Sequence, residues 1–579
     1  MSSVVISGDV SGSVTLQAPS AAGSTVVTLP SSSMNMGNGG GSVGANTAFG
    51  GSALAANTTG TNNTAVGYQS LLVNTTGNNN VGVGYYSLKN NVVGSSNTAV
   101  GASALLFNTV DNNTAFGYAA LYYNTTGTPN DAFGTGALFN NTTGINNVSV
   151  GYYSLLNNTV GYGNTAVGWT ALTTNVSGAY NTALGQSALK NNTASNNTAV
   201  GVGALQTNTT GTPNCAFGFQ ALYANTTGAG NTAVGTQALL GNTTGIQNIA
   251  VGDYAMSNNT VGTNNVGIGH SSLGSGAGGA TTFADCIGIG YAALYKNTAS
   301  SNTAVGKSAL QNNTSGDNNV AYGIEALFSN TTGYQNTAVG SIALRSNTTG
   351  INNVCVGNGS LFSNTTGAGN VAFGKEALYS NTIGNDNTCI GYKAGYYTTG
   401  ITTGSQNIII GSAAHTSTAG AINQIVLGYN GVGQGDNYVS IGVGGTSYIY
   451  ANFSSSATWT KASDGRIKQN VNDTTIGLDF IEKLRVVTYN WKPSNELPED
   501  IIGYAEENTQ DLETTMYGFI AQEVKEAMDD LGYENFTGWN IREADGLQGI
   551  ATDQFVLPLI NAVKELSARV KELEAKVNA

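Results

Sequence analysis

A short apolar phrase returns along most of this chain. NTAVGYQSLLVNTTGNN spans Asn63 to Asn79, NVGVGYYSLKNNVVGSS follows at once, and NTAVGASALLFNTVDNN comes next. With the glycine of each A-V-G-like triplet as the mark, the series runs Gly50, Gly67, Gly84, Gly101, Gly117 and onward to Gly391, Gly411 and Gly428. The intervals are 17 with occasional 16, and two are longer: 21 between Gly269 and Gly290, and 20 between Gly391 and Gly411. Before each mark two branched or large residues flank a small one, as in Thr64-Ala65-Val66. That alternation predicts a very short strand with two unlike faces. Four residues after the mark stands a leucine (Leu54, Leu71, Leu88, with Met256 as a substitute), and three further on an asparagine (Asn57, Asn74, Asn91) opens a T-T-G-like turn. Asn and Gly tolerate left-handed backbone angles and Asn makes its own turns, so the chain reverses there at little cost.

One such coil buries almost nothing, whereas many stacked coils bury a continuous core. Asparagines at equivalent corners are then placed to hydrogen-bond along the stack. The pattern predicts a mainly β fold: a β-solenoid or β-roll shaft over residues 46–450. Some two dozen coils rising about 4.8 Å each span roughly 110 Å. A helical repeat is disfavoured, because Gly and Asn at these densities oppose helices. The two longer intervals predict loops emerging from one face. Aromatic residues after the mark, such as Tyr118, Trp169, Tyr291 and Tyr392, are expected to pack between coils or chains, with stacking on sugars as the alternative.

Composition narrows the function classes. Only 9% of residues are charged, yet 40% are hydrophobic at a fixed spacing, which argues for order. The formal net charge is −13; residues 1–450 hold ten acids and seven bases, so −10 of it sits in residues 451–579. Neither part has the basic stripe of a nucleic-acid binder. The four cysteines (Cys215, Cys286, Cys355, Cys389) are far apart and read as small buried hydrophobes in a reducing compartment, and His270 and His415 are isolated. No metal or other cofactor is expected. Acids in the repeats are too sparse for a glycosidase pair. The N-terminus lacks a charged, apolar leader and no segment reaches the length of a membrane span, so synthesis in a cytoplasm is expected, without membrane insertion. Asn-x-Thr triplets are read as turn chemistry.

From about residue 461 the text changes to KASDGRIKQNVNDTTIGLDFIEKLRVVTYNWK, then YGFIAQEVKEAM, then ATDQFVLPLINAVKELSARVKELEAKV. The 17-residue period ends and charge density rises. Val556, Leu559, Val563, Leu566, Val570, Leu573 and Val577 alternate steps of three and four, a heptad seam that predicts a coiled-coil helix. The acidic insert 494–516 reads as a solvated loop or arm.

Three blocks occur in order over the last 117 residues: Ser463-Asp464-Gly465-Arg466-Ile467-Lys468, the GFIAQEV block Gly518–Val524, and the L-P-L-I-N-A-V-K-E-L helix. Together they resemble the self-cleaving intramolecular chaperone at the C-terminus of phage tail spikes and fibres, including endosialidases. The shaft repeat resembles the left-handed β-roll of trimeric autotransporter adhesin heads, and SGSVTLQAPSAAGSTVVTLP near the N-terminus resembles segments of phage fibres. These resemblances imply a homotrimer whose α+β chaperone domain drives assembly and then cuts itself off between Ala462 and Ser463. Ser463 is then the nucleophile and Lys468 its general base. Asp464, Arg466, Gln522 and Glu523 match the motifs without an assigned step.

The expected organisation is an attachment segment (1–45), the shaft (46–450), a linker (451–462) and the chaperone autoprotease (463–579). The expected function is a virion tail fibre that attaches to a host-surface receptor of glycan type and joins phage tail or baseplate proteins through its N-terminus. A cellular trimeric adhesin and an ice- or carbohydrate-binding solenoid are the alternatives.

Overall fold

A computed structural model describes residues 14–16, 27–29, 45–274, 282–396, 400–444, 447–453, 456–461, 469–499, 501, 504–508, 510–542 and 546–579. The chain divides into two compact units, residues 1–462 and 463–579.

In the first unit, 23 strands of three or four residues run from Thr47–Phe49 to Ile425–Leu427. Each pairs in parallel with the strand one coil away and in the register of the sequence repeat, as in Thr64↔Val81, Ala65↔Gly82 and Val66↔Val83. This is the expected β-solenoid. The middle residue of each strand, small in all but the last two, points inward and its two neighbours point outward. The core is therefore narrow: a column of Ala, such as Ala65, Ala99 and Ala166, faces a column of Leu, such as Leu71, Leu105 and Leu172, all fully buried.

The corners explain the composition of the repeat. Each marking glycine sits at φ between +123° and +139°, as at Gly67 and Gly168. A Cβ on Gly67 would lie 2.5 Å from the carbonyl oxygen of Gly84 in the next coil, so both backbone angle and space demand glycine. The leucine four residues on is itself left-handed, with φ of 51° at Leu71 and 52° at Leu172. That conformation costs an L-residue roughly 1–2 kcal/mol, and full burial of the side chain offsets it with roughly 1.5–3 kcal/mol. A β-branched side chain would be a true outlier there. The first 20 coils accordingly carry 19 Leu and one Met at this position.

Two asparagine ladders line the inside. In the expected one, Asn74 Nδ2 donates to Asn57 Oδ1 at 3.1 Å, and Asn91 Nδ2 to Asn74 Oδ1 at 3.2 Å. In the second, the backbone N–H of Asn63 donates to Asn46 Oδ1 at 2.8 Å and that of Asn80 to Asn63 Oδ1 at 2.9 Å. Asn63 Nδ2 and Asn74 Nδ2 both end on the carbonyl of Gly77. Buried polar groups cost little when fully paired, so these columns replace the hydrophobic bulk that so thin a coil cannot hold. Where a 16-residue coil interrupts the series, Val110 O takes the place of the glycine carbonyl, accepting from Asn97 Nδ2 at 2.8 Å and Asn108 Nδ2 at 2.7 Å.

The parallel stack ends on Tyr438–Val443, which pairs antiparallel with Ser447–Asn452, and that strand pairs antiparallel with Ser456–Lys461. The segment expected as a linker is thus strand over most of its described length. Near the N-terminus, Val14–Leu16 pairs antiparallel with Val27–Leu29; most of the expected attachment segment lies outside the described residues.

Among its described residues the second unit contains three α-helices, α1 (Leu478–Lys483), α2 (Ala521–Asp530) and α3 (Val556–Val577). Two antiparallel strand pairs accompany them, Val487–Tyr489 with Met516–Gly518 and Trp539–Ile541 with Gln548–Ile550. Their common core is Phe480, Val524, Ala527, Met528 and Phe555. The acidic insert connects the two strands of the first pair. It is anchored where the backbone N–H of buried Ser494 donates to Asn508 Oδ1 at 3.0 Å.

Candidate functional site

Ala462, Ser463, Asp464, Arg466 and Lys468, the expected cleavage site and its motif, lie outside the described residues. The described chain stops at Lys461, the end of a strand, and resumes at Gln469. What the structure defines is how the chain is held a few residues later. Asn561 on α3 donates through Nδ2 to the carbonyls of Thr474 (3.2 Å) and Ile476 (3.0 Å). One turn further along the same helix, Glu565 Oε2 accepts the backbone N–H of Leu478 at 3.1 Å. Tyr533 Oη donates to Thr475 O at 3.2 Å. A Cβ on Gly477 would come within 2.0 Å of Glu565 Oε1, so glycine lets the carboxylate reach the first free N–H groups of α1. Residues 474–478 are therefore clamped by α3, while Phe480 behind them packs edge-on against Phe536 at 5.3 Å.

Gln522 and Glu523 lie in the first turn of α2. Gln522 is exposed. Glu523 receives both Arg485 Nη2 on Oε1 and Arg485 Nε on Oε2, the latter at 3.1 Å. Hydrogen bonding by Arg485 holds the Glu523 carboxyl below the usual carboxylate range and raises the guanidinium in turn. The pair ties the start of α2 to the chain just after α1. Sequence reasoning missed Arg485, Asn561 and Glu565. The usable signal was the i, i+4 spacing of Asn561 and Glu565 on a face of α3 separate from the heptad seam.

Beyond its first turn that seam is left largely uncovered by the described residues of its own unit. Val556, Leu559, Val563, Leu566, Val570, Leu573 and Val577 are 47–83% exposed. At its N-terminal end the seam runs into an apolar groove of about 300 Å³ lined by Ile481, Leu484, Val486, Phe519, Val556 and Leu559.

On the shaft, Tyr118, Trp169, Tyr291 and Tyr392 are all exposed. Tyr291 stacks on His270 of the preceding coil at 5.5 Å, and Lys393 lies 5.4 Å over the Tyr392 ring. Threonines of the T-T-G corner turn their hydroxyls onto the next coil, as Thr58 Oγ1 does to Thr75 O at 2.9 Å. The outward threonine column of the strands is interrupted by Val81, Asp131 and Val148, so it is not a regular Thr array. Among the described residues no group of three His, Cys, Asp or Glu is placed to hold a metal ion. Cys286, Cys355 and Cys389 are buried free thiols. Burial pushes Cys286 up to about 11 and Cys355 up to about 12, and raises Cys389 as well, leaving them inert. Cys215 departs from the expected burial: it points outward from its strand and is half-buried.

Residues 463–533 match a family model of peptidase type described as chaperone of endosialidase. The C-terminal unit is similar to that chaperone. The match opens on Ser463 and takes in α1, the clamped segment before it and α2, while α3 follows beyond its end. No curated protein and no solved structure matches the chain. The chain thus joins a β-solenoid of 23 coils to a C-terminal unit that resembles an endosialidase-type chaperone.

Proposed function

We propose that this chain is the precursor of a phage tail fibre, trimerised by its C-terminal chaperone and released from it by a single self-cleavage. The observation that carries the reading is the chaperone match beginning at residue 463, in a chain whose preceding unit carries 23 solenoid strands and whose last described strand there ends at Lys461. The exposed seam of α3 supports assembly. It is a heptad stripe of Val and Leu that the described residues of its own unit leave largely exposed, and a parallel bundle of copies would bury it.

The cleavage chemistry assigned to Ser463 and Lys468 is compact. Neutral Lys468 takes the proton from Ser463 Oγ, which attacks the carbonyl carbon of Ala462. A C–O bond forms, the Ala462–Ser463 C–N bond breaks, and the lysine returns the proton to the departing amine. Water then hydrolyses the ester, leaving the carboxylate of Ala462 and the free hydroxyl of Ser463. Lysine serves as a base only when its surroundings disfavour the charged form, as burial does. Asp464, Arg466 and Gln522 match the motif without an assigned step, and Glu523 fixes α2 through Arg485. Three chaperone units holding three C-termini together bring the terminal coils into register, the slow step for a fold made of non-local strand pairs. The released shaft serves host-surface attachment, with a glycan as the receptor class and the N-terminus as the junction to the phage tail.

The test is the intact mass of the wild type beside Ser463→Ala, with native mass giving the chain count. Two wild-type products divided at Ala462, an uncut variant and a trimeric large product are expected. An uncut wild type that still trimerises removes the protease role, and an uncut monomer overturns the whole reading.

A further inference from the structure

Six places after the marking glycine, just before the T-T-G corner, successive coils carry Phe107, Tyr123, Asn140 and Asn157 at the surface. Two rings thus give way to two short amides. Two places further on stand the first corner residues, Thr125, Thr142 and Thr159, and then Val176. The step from ring to amide opens a trough of about 530 Å³ along these coils, with Tyr123 at one end and Val176 at the other. Phe107 of the preceding coil stacks on Tyr123 at 5.6 Å with 6° between the planes, and the trough opens on the side of the following coils. Phe139 meets the same ring edge-on at 5.3 Å, so the ring is held in place. Along one wall Thr125 Oγ1 donates to Thr142 O at 3.1 Å, Thr142 Oγ1 to Thr159 O at 3.0 Å and Thr159 Oγ1 to Val176 O at 3.2 Å. With these hydroxyls engaged along the stack, what that wall has left to offer is methyl groups. On the other wall Asn140 Nδ2 donates to Asn157 Oδ1 at 3.1 Å.

We infer that this trough is a binding site for a neutral oligosaccharide lying along the shaft, with a sugar ring against Tyr123 and its hydroxyl groups on the amides of Asn140 and Asn157. The inference rests on the host-attachment reading above and adds to it a place on the shaft and the charge class of the glycan.

The lining selects the occupant. None of the residues that line the trough is charged, whereas an acidic glycan calls for Lys or Arg. The volume and the mixture of apolar walls with a few polar groups suit a small ligand. A pyranose matches both walls, because its C–H faces pack on methyl groups and an aromatic ring while its hydroxyls both donate and accept, as an asparagine amide does. A peptide added as a strand is disfavoured, since the backbone N–H groups of Thr125 and Thr142 already bond the carbonyls of the next coil, at 3.1 and 3.0 Å. The trough crosses three coil rises, about 14 Å, which suits a short oligosaccharide. Three chains in one fibre present three such sites, so a shallow trough of modest affinity is enough for attachment to a surface that repeats its sugar.

Saturation-transfer NMR on the assembled full chain measures binding of the neutral probes cellotetraose, maltotetraose and chitotetraose, and of an acidic probe, oligosialic acid. At least one neutral probe is expected to bind. Tyr123→Leu and Asn157→Ala are each expected to weaken that binding at least tenfold, while Tyr392→Ala, on the aromatic corner, leaves it unchanged. Native mass and circular dichroism of every variant are expected to match the wild type. Binding of the acidic probe alone, or neutral binding that survives both trough substitutions, overturns this inference and leaves a glycan receptor standing. A trough variant that loses the trimer marks the trough as a contact between copies and overturns the inference as well. No binding of any probe overturns both the trough and the glycan class of the receptor.

Discussion

The two units solve the problem of a small core in opposite ways. Among its described residues the solenoid has few ion pairs and, over most coils, a core of one Ala facing one Leu. Its cohesion comes from repetition, with corners hydrogen-bonded to the next coil and most buried asparagines paired with their neighbours above and below; Asn175 Oδ1 and Asn381 Oδ1 are the buried exceptions among the described residues. The C-terminal unit has one aromatic cluster around Phe480 and Phe555, ties its segments with surface pairs such as Lys483–Asp530 at 2.9 Å, and leaves its longest helix half uncovered. The first is held together along its axis. The second is open at the helix that would bind copies, which fits a unit finished only by assembly.

That contrast can be broken most sharply at α3. Leu566→Asp changes an exposed residue, so the fold of the single unit is expected to survive by near-ultraviolet circular dichroism while native mass shows loss of the trimer. In the shaft the large effects lie in the backbone. Gly168→Ala forces a Cβ to within 2.4 Å of the Gly185 carbonyl at φ +138°. It is expected to cost at least about 3 kcal/mol, read as lost amide-exchange protection in the flanking coils. Asn164→Ala leaves the Asn181 N–H, now held at 3.0 Å, without its acceptor and takes one of two donors from the Gly178 carbonyl, which keeps Asn175 Nδ2 at 2.9 Å. About 2–3 kcal/mol of local stability should disappear by the same measurement.

Leu172 separates burial from backbone angle. Leu172→Met keeps volume and is expected to cost less than about 1.5 kcal/mol, whereas Leu172→Ile adds a β-branch at φ 52° and should cost roughly 1–2 kcal/mol more. Equal losses would mean the left-handed corner is unimportant. The smallest effect belongs to the exposed Arg485–Glu523 pair. Because the folded state holds the Glu523 carboxyl lower than the unfolded chain does, its contribution is present above the ordinary carboxylate range and is lost as pH falls through the depressed folded value. Glu523→Gln should lower the denaturant midpoint slightly near neutral pH and leave it unchanged at acid pH, so that this part of the acid-limb dependence disappears.

Much of the solenoid could be read directly from the residues, because period, strand, Leu column and one Asn ladder each repeat often enough to reveal their roles. The second ladder, through Asn63 and Asn80, escaped notice because an asparagine beside a strand reads as a turn residue. The left-handed leucines escaped for the opposite reason, since nothing in a leucine announces an unusual backbone. In the C-terminal unit the heptad of α3 was legible, but the clamp of Asn561 and Glu565 was not, because polar residues on a helix normally face water. Ser463 and Lys468 were reached only through resemblance, as a serine and a lysine five residues apart carry no chemistry by spacing alone.

The shorter coils have a consequence for how such a solenoid changes over generations. Where Val110 O stands in for a glycine carbonyl, a residue has been dropped from a corner and both asparagine bonds persist. A coil is therefore a unit of length that tolerates small copying errors, and duplicating or deleting one moves the tip by about 4.8 Å without rewriting any neighbour. Reach becomes a quantity that recombination between similar coils can adjust step by step, like links added to or taken from a chain.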